Sequence, residues 1–112
     1  MAALPTPPAT TPALYEQDGE GYEATVHAHY FVGGNDWLIT ECDPSSGDMF
    51  GWACLNGNRE DAELGSINHS DLDRLRVNGV FPVDMEDDWT PCTLTEAIAT
   101  LDRRAGLTGT TR

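Results

Sequence analysis

The chain reads as an α+β fold: an antiparallel meander sheet of four to five strands, a C-terminal helix packed on one face, and a short helix near 70–76. Three observations predict it. Successive segments of strand-like apolar pattern are joined by turns too short for the crossovers that parallel neighbours need. The stretch 36–52, Asp-Trp-Leu-Ile-Thr-Glu-Cys-Asp-Pro-Ser-Ser-Gly-Asp-Met-Phe-Gly-Trp, carries two of the three tryptophans on either side of a polar turn, which places the core. Residues 93–105 then switch to the period of an amphipathic helix.

Taken in order, residues 1–12 are rich in proline and threonine, and 1–13 is predicted to be a disordered or polyproline-like leader. Leu14 and Tyr15 are the first docking point, and 16–21 is a solvated loop. From Glu23 the alternation predicts a strand with Val26, Ala28, Tyr30 and Val32 on one face and Thr25, His27, His29 and Phe31 on the other. Gly33-Gly34-Asn35 ends it as a hairpin turn. A second strand covers 37–42, Asp43-Pro44-Ser45-Ser46-Gly47 turns the chain, and a third covers 49–55. Both faces of these strands carry large apolar residues, so both need cover, one fully and the other in part.

Residues 62–67 predict a fourth strand. Ser70 with Asp73 has the form of an N-cap with an acid three residues on, opening the short helix that Asn78-Gly79 stops. Val80-Phe81-Pro82-Val83 fits an edge strand or an extended loop, because proline cannot donate to a ladder. Asp84-Met85-Glu86-Asp87-Asp88 reads as a solvated acidic loop. The last helix has the clearest signals. Thr93 and Glu96 make a capping box, Leu94, Ala97, Ile98, Leu101 and Ala105 form a stripe, Arg103 and Arg104 sit at the negative end, and Gly106 terminates it. Residues 14–106 form the single domain, and 107–112 a frayed tail.

Composition narrows the function classes. Nineteen acids stand against six arginines, three histidines and no lysine, for a net charge of −13 over 112 residues. Such a chain repels nucleic-acid phosphates, so direct DNA or RNA binding is not expected. Solubility alone can explain an acidic surface, but so can docking on a basic partner. No apolar run approaches the ~20 residues of a membrane span. With no basic and apolar signal-like start either, the expected location is the cytoplasm. Cys42, Cys54 and Cys92 are odd in number and in no paired spacing, which suggests buried free thiols rather than disulfides or a zinc site.

No P-loop, dinucleotide fingerprint or nucleophile elbow is present, and the absence of lysine removes a Ser–Lys dyad. His27 and His29 alternate on a strand and could chelate a metal with Glu41, Asp43 or His69, though a half-exposed strand face explains them as well. Glu41 continues the apolar line of Trp37 and Ile39, where burial would raise its pKa and suit it to acid–base work. Pairing or a solvent-facing strand end is the simpler account. Asp43, before Pro44, is first of all a turn residue. The aromatics are mostly core, with Trp89 beside the acidic run the best candidate for an exposed anchor.

Leu14-Tyr15, then Trp37 with Ile39-Thr40-Glu41-x-Asp43, then Phe50-Gly51, then Glu63-Leu64-Gly65 with Leu72 and Leu75, together resemble a family of small proteins carried by bacterial plasmids, phages and integrated elements. The match covers about residues 14–94. The family brings no activity to carry over; it implies an accessory role in mobile DNA, where anti-restriction and anti-CRISPR proteins are frequent. The expected function is a non-enzymatic acidic interaction protein without cofactor or metal. It would bind and inhibit a basic, nucleic-acid-handling host protein by DNA mimicry, as a monomer or homodimer. The residues expected to carry the contact are Glu41, Asp43, Asp84, Glu86, Asp87 and Asp88, with Trp89 as anchor. The alternatives are a small metal-dependent or acid–base enzyme using Glu41 and Asp43 with a histidine, and a structural protein dimerising through the sheet edge.

Overall fold

The computed structural model describes residues 3–106. Its strands begin with the short β1 (Thr25–Val26), followed by β2 (Ala28–Val32), β3 (Asn35–Asp43), β4 (Asp48–Cys54) and β5 (Glu63–Asn68). Next come helix α1 (His69–Arg74), the small hairpin β6 (Arg76–Val77) and β7 (Phe81–Pro82), and then β8 (Asp84–Met85). Strand β9 (Cys92–Thr93) leads directly into helix α2 (Leu94–Ala105). The main sheet has the order β5-β4-β3-β2-β8, all antiparallel. This is the α+β meander that the turn spacing implied. Its fifth strand comes from an unexpected place: Asp84 and Met85, read as a solvated acidic loop, pair with Phe31 and Tyr30.

Helix α2 covers one face. Its Leu94, Ala97 and Leu101 pack with Val26, Leu38, Trp52 and Cys54. Each fully buried leucine contributes roughly 1.5–3 kcal/mol relative to exposure. Both halves of the Thr93 and Glu96 capping box form, and Gly106 closes the helix at φ 75. The β1 and β9 pairing, Thr25 with Thr93 and Val26 with Cys92, fixes where the helix starts on the sheet. Helix α1 is shifted from its expected place: Asn68, not Ser70, is the cap, its side chain accepting from the Asp71 amide.

The opposite face holds Tyr30, Trp37, Ile39, Met49, Leu72 and Val83, and with them Leu4. Here the expected disordered leader is corrected over its described residues, 3–13. Leu4 is only 7% exposed, and its amide donates to Asp73 Oδ1 at 2.8 Å. The Tyr30 hydroxyl donates to the Pro5 carbonyl at 2.7 Å, and the Cys42 amide to the Pro12 carbonyl at 2.9 Å. Prolines suit this segment because it runs across the sheet without needing ladder donors. The frayed tail expected at 107–112 lies outside the described residues.

Two irregularities set which side chain faces which layer. The His27 amide donates to the Ile39 carbonyl at 2.8 Å while Ala28 is the register partner of Ile39, so β1 and β2 are separated by an extra residue. Val26 therefore belongs to the helix-side core and Ala28 to the other, not to one shared face. The β3 and β4 register likewise slips between Ile39 and Glu41, leaving Thr40 as the inserted residue. A one-residue insertion reverses the alternation beyond it. Hence Cys42 joins the core of Trp37 and Ile39, and Glu41 points to the other side.

Candidate functional site

Most of the residues singled out from sequence lie along the β8 edge. The Glu86 amide donates to the His29 carbonyl at 2.9 Å, extending the β8 and β2 contact by one residue. The Glu86 carboxylate turns inward. It accepts from Arg104 Nη1 and Nη2 at 2.9 and 3.0 Å and lies 2.8 Å from His29 Nδ1. On the other side, His29 Nε2 lies 2.7 Å from Asp36 Oδ1. The His29 ring is only 4% exposed and sits between Phe31 and Trp89, with centroids 5.3 and 5.5 Å away. Each ring nitrogen of His29 therefore faces a carboxylate, Glu86 on one side and Asp36 on the other.

The electrostatics follow from this geometry. The Arg104 guanidinium, helped by His29 and opposed by burial, holds the Glu86 carboxyl below its usual range. Glu86 in turn pushes Arg104 up. The Arg104 cation, in the last turn of α2, also complements the negative end of the helix dipole. The cluster is thus an ionic clasp joining an edge strand, a central strand and a helix end.

Around it, Asp84, Asp87 and Asp88 are exposed and form no salt bridge among the described residues. Asp88 adopts φ 60, a left-handed conformation that aspartate, with its short polar side chain, visits more readily than most non-glycine residues. Trp89 is not the free anchor expected from the sequence. It is half-buried, donates its indole N–H to the Val26 carbonyl at 3.1 Å, and packs on the helix-side core.

Glu41 and Asp43 lie elsewhere. Asp43 is seven residues along β3 from Asp36, which at a rise of ~3.3 Å per residue is about 23 Å from the clasp. It is a turn residue, accepting from the Ser45 amide at 3.0 Å and hydroxyl at 2.7 Å, and these bonds hold its carboxyl below the usual range. Glu41 is only 4% exposed. Its two oxygens accept from the Tyr15 and Gln17 amides, each at 2.8 Å. The Gln17 side chain completes the junction, donating to the Thr25 and Thr40 carbonyls and accepting from the Thr25 amide. Glu41 is therefore engaged in holding loop 13–18 to the sheet, and the structure does not bring it or Asp43 to the acidic edge.

The residues named for acid–base or metal chemistry are placed as follows. No hydrogen bond or ion pair joins Glu41 or Asp43 to a histidine among the described residues. Both nitrogens of His29 are occupied, and His69 Nε2 lies against the Leu4 and Pro5 carbonyls at 2.9 and 3.1 Å. Among the described residues, no group of three or more His, Cys, Asp or Glu side chains is disposed to hold a metal ion. Cys42 and Cys54 are buried and Cys92 partly so, all as free thiols, and burial pushes Cys42 and Cys92 up, away from the reactive thiolate.

Sequence reasoning missed the roles of His29, Asp36 and Arg104. The short hairpin does put Asp36 opposite Phe31, within diagonal reach of His29. Nothing local links Glu86 to Arg104, which meet only through packing. The chain matches no protein-family model, no curated protein and no solved structure.

Proposed function

We propose that this is a non-enzymatic acidic interaction protein that docks on a basic, nucleic-acid-handling host protein and inhibits it by occupying the surface DNA would take. The observation that carries this reading is the β8 edge. Asp84, Asp87 and Asp88 are exposed without salt bridges among the described residues, on backbone fixed by strand pairing and by the Glu86 clasp beneath. Charges that are already positioned lose little freedom on binding and steer a basic partner into register. The resemblance to proteins of mobile elements adds a context, the cytoplasm of a bacterial host, in which CRISPR or restriction components are the partner class. Among the described residues no helix is long and apolar enough to cross a membrane.

The test is capture from host lysate on immobilised protein, washed with rising salt and then with duplex DNA. The expected partner elutes between low and physiological salt and is displaced by the duplex. The D84N/D87N/D88N variant should hold it about tenfold more weakly, as the loss of several interfacial charges implies. Retention that ignores salt, duplex and the triple substitution would remove the basis of the proposal.

A further inference from the structure

A second surface lies between loop 14–21 and β5, at the opposite edge of the sheet from β8. It is a groove of about 700 Å³. Leu14, Phe50, Leu64 and Ile67 supply apolar lining, none of them fully buried. Asp18, Asp48 and Asp71 stand exposed on its rim. Asp71 is shared with Arg74 at 2.9 Å, and no arginine or histidine lines the groove.

At its mouth stands Tyr15, 80% exposed and at φ 73. A bulky L-residue in that region costs about 1–2 kcal/mol, and an exposed aromatic recovers none of it by burial. The conformation is imposed from beneath, because Glu41 and Gln17 hold the loop to the sheet. The fold thus uses a buried carboxylate to present an aromatic ring to solvent beside a carboxylate-rimmed apolar groove.

We infer that this groove receives an extended, arginine-bearing segment of a partner protein, its guanidinium stacked on Tyr15 near Asp18 and its apolar residues on Phe50 and Leu64. Arginine fits because its planar cation stacks on an aromatic face and forks onto carboxylates, while its stem covers apolar surface. A peptide fits better than a small cation for two reasons. The volume exceeds what one guanidinium fills. And β5 ends the sheet, so one side of its backbone has no strand neighbour among the described residues, leaving main-chain groups an extended chain can meet. A second copy of the chain, at net charge −13, would be repelled. The inference rests on the reading of a basic partner only for the sign of its occupant; the surface is a different one.

The test uses the full chain and a fluorescent pentapeptide, acetyl-Leu-Arg-Leu-Arg-Leu-amide, followed by anisotropy at low salt. Binding is expected, and a citrulline-for-arginine peptide should lose it. Tyr15→Ala should weaken binding about fivefold and Tyr15→Phe should preserve it, as a stacked cation requires. Asp18→Asn with Asp48→Asn should weaken it by about tenfold. Each of these outcomes overturns the inference: no binding, equal binding of the citrulline peptide, equal binding of arginine amide alone, indifference to the Tyr15 and Asp18/Asp48 changes, or a concentration-dependent dimer abolished by Tyr15→Ala. If D84N/D87N/D88N alone abolishes peptide binding, the groove is excluded while the proposed function stands.

Discussion

At Glu41 the fold places a carboxylate at 4% exposure and satisfies it with two main-chain donors, the amides of Tyr15 and Gln17. Such a group stabilises only while both oxygens accept; presenting a donor to a donor leaves a buried amide unpaired. Glu41→Gln is therefore expected to cost about 2–3 kcal/mol in denaturant unfolding and to speed amide exchange at Tyr15 and Gln17. An unchanged midpoint and unchanged exchange would mean that the loop is held by something else. The sequence marked Glu41 as unusual, an acid within an apolar strand. It could not tell that the side chain turns away from Trp37 and Ile39, because that depends on the residue inserted at Thr40.

Among the elements, β3 and β4 decide the layering and α2 closes it. Helix α2 was legible to within a residue, since its cap, stripe and terminating glycine are local signals. The inserted Thr40 was not, because it is visible only against its partner strand. Its neighbour Gly51 shows the consequence: a Cβ there would lie 2.0 Å from the Leu38 carbonyl oxygen, in the backbone of the next strand. Neither strand can retreat without breaking the ladder on which both cores depend. Gly51→Ala is expected to lower stability by about 3 kcal/mol, near the upper end for overpacking, read as a shift in thermal and urea midpoints. A neutral result would mean that β3 and β4 separate more easily than their pairing suggests.

Over the whole molecule, the exposed acids do not gather in one patch: some lie near two edges of the sheet, and Glu16, Glu23, Glu60, Asp61 and Glu96 stand exposed at other positions. Asp84 lies on β8 with Asp87 and Asp88 just beyond it; Glu63 lies on β5, with Asp48 paired to that strand's last residue and Asp71 on α1 after it, four strand spacings or about 19 Å away. Acidification acts on this arrangement through identifiable groups. Burial lowers His27 from its ordinary value of 6.5, so the unfolded chain takes up a proton before the folded one does. Stability carried by neutral His27 is complete above that value and is lost as the pH falls toward the folded one. Glu86, also lowered, loses its contribution in the acid range below 4.5. Comparing wild type with His27→Gln isolates the first effect: between pH 7 and pH 5.5 the wild-type melting temperature should fall relative to the variant. Parallel curves would show that His27 is not the group responsible.

The sequence by itself determined the class of fold, the order of the meander strands, the capped C-terminal helix and the acidic, lysine-free character, because periodicity, turn chemistry and capping act over a few residues. Tertiary structure alone decided that the proline-rich leader covers a face of the sheet, that Glu86 meets His29 and Arg104, and that Glu41 holds up an exposed Tyr15. These contacts join residues far apart in the chain, and two single-residue insertions choose which side chains face each other. A one-dimensional pattern carries the period of a strand but not the place where its neighbour forces it to slip.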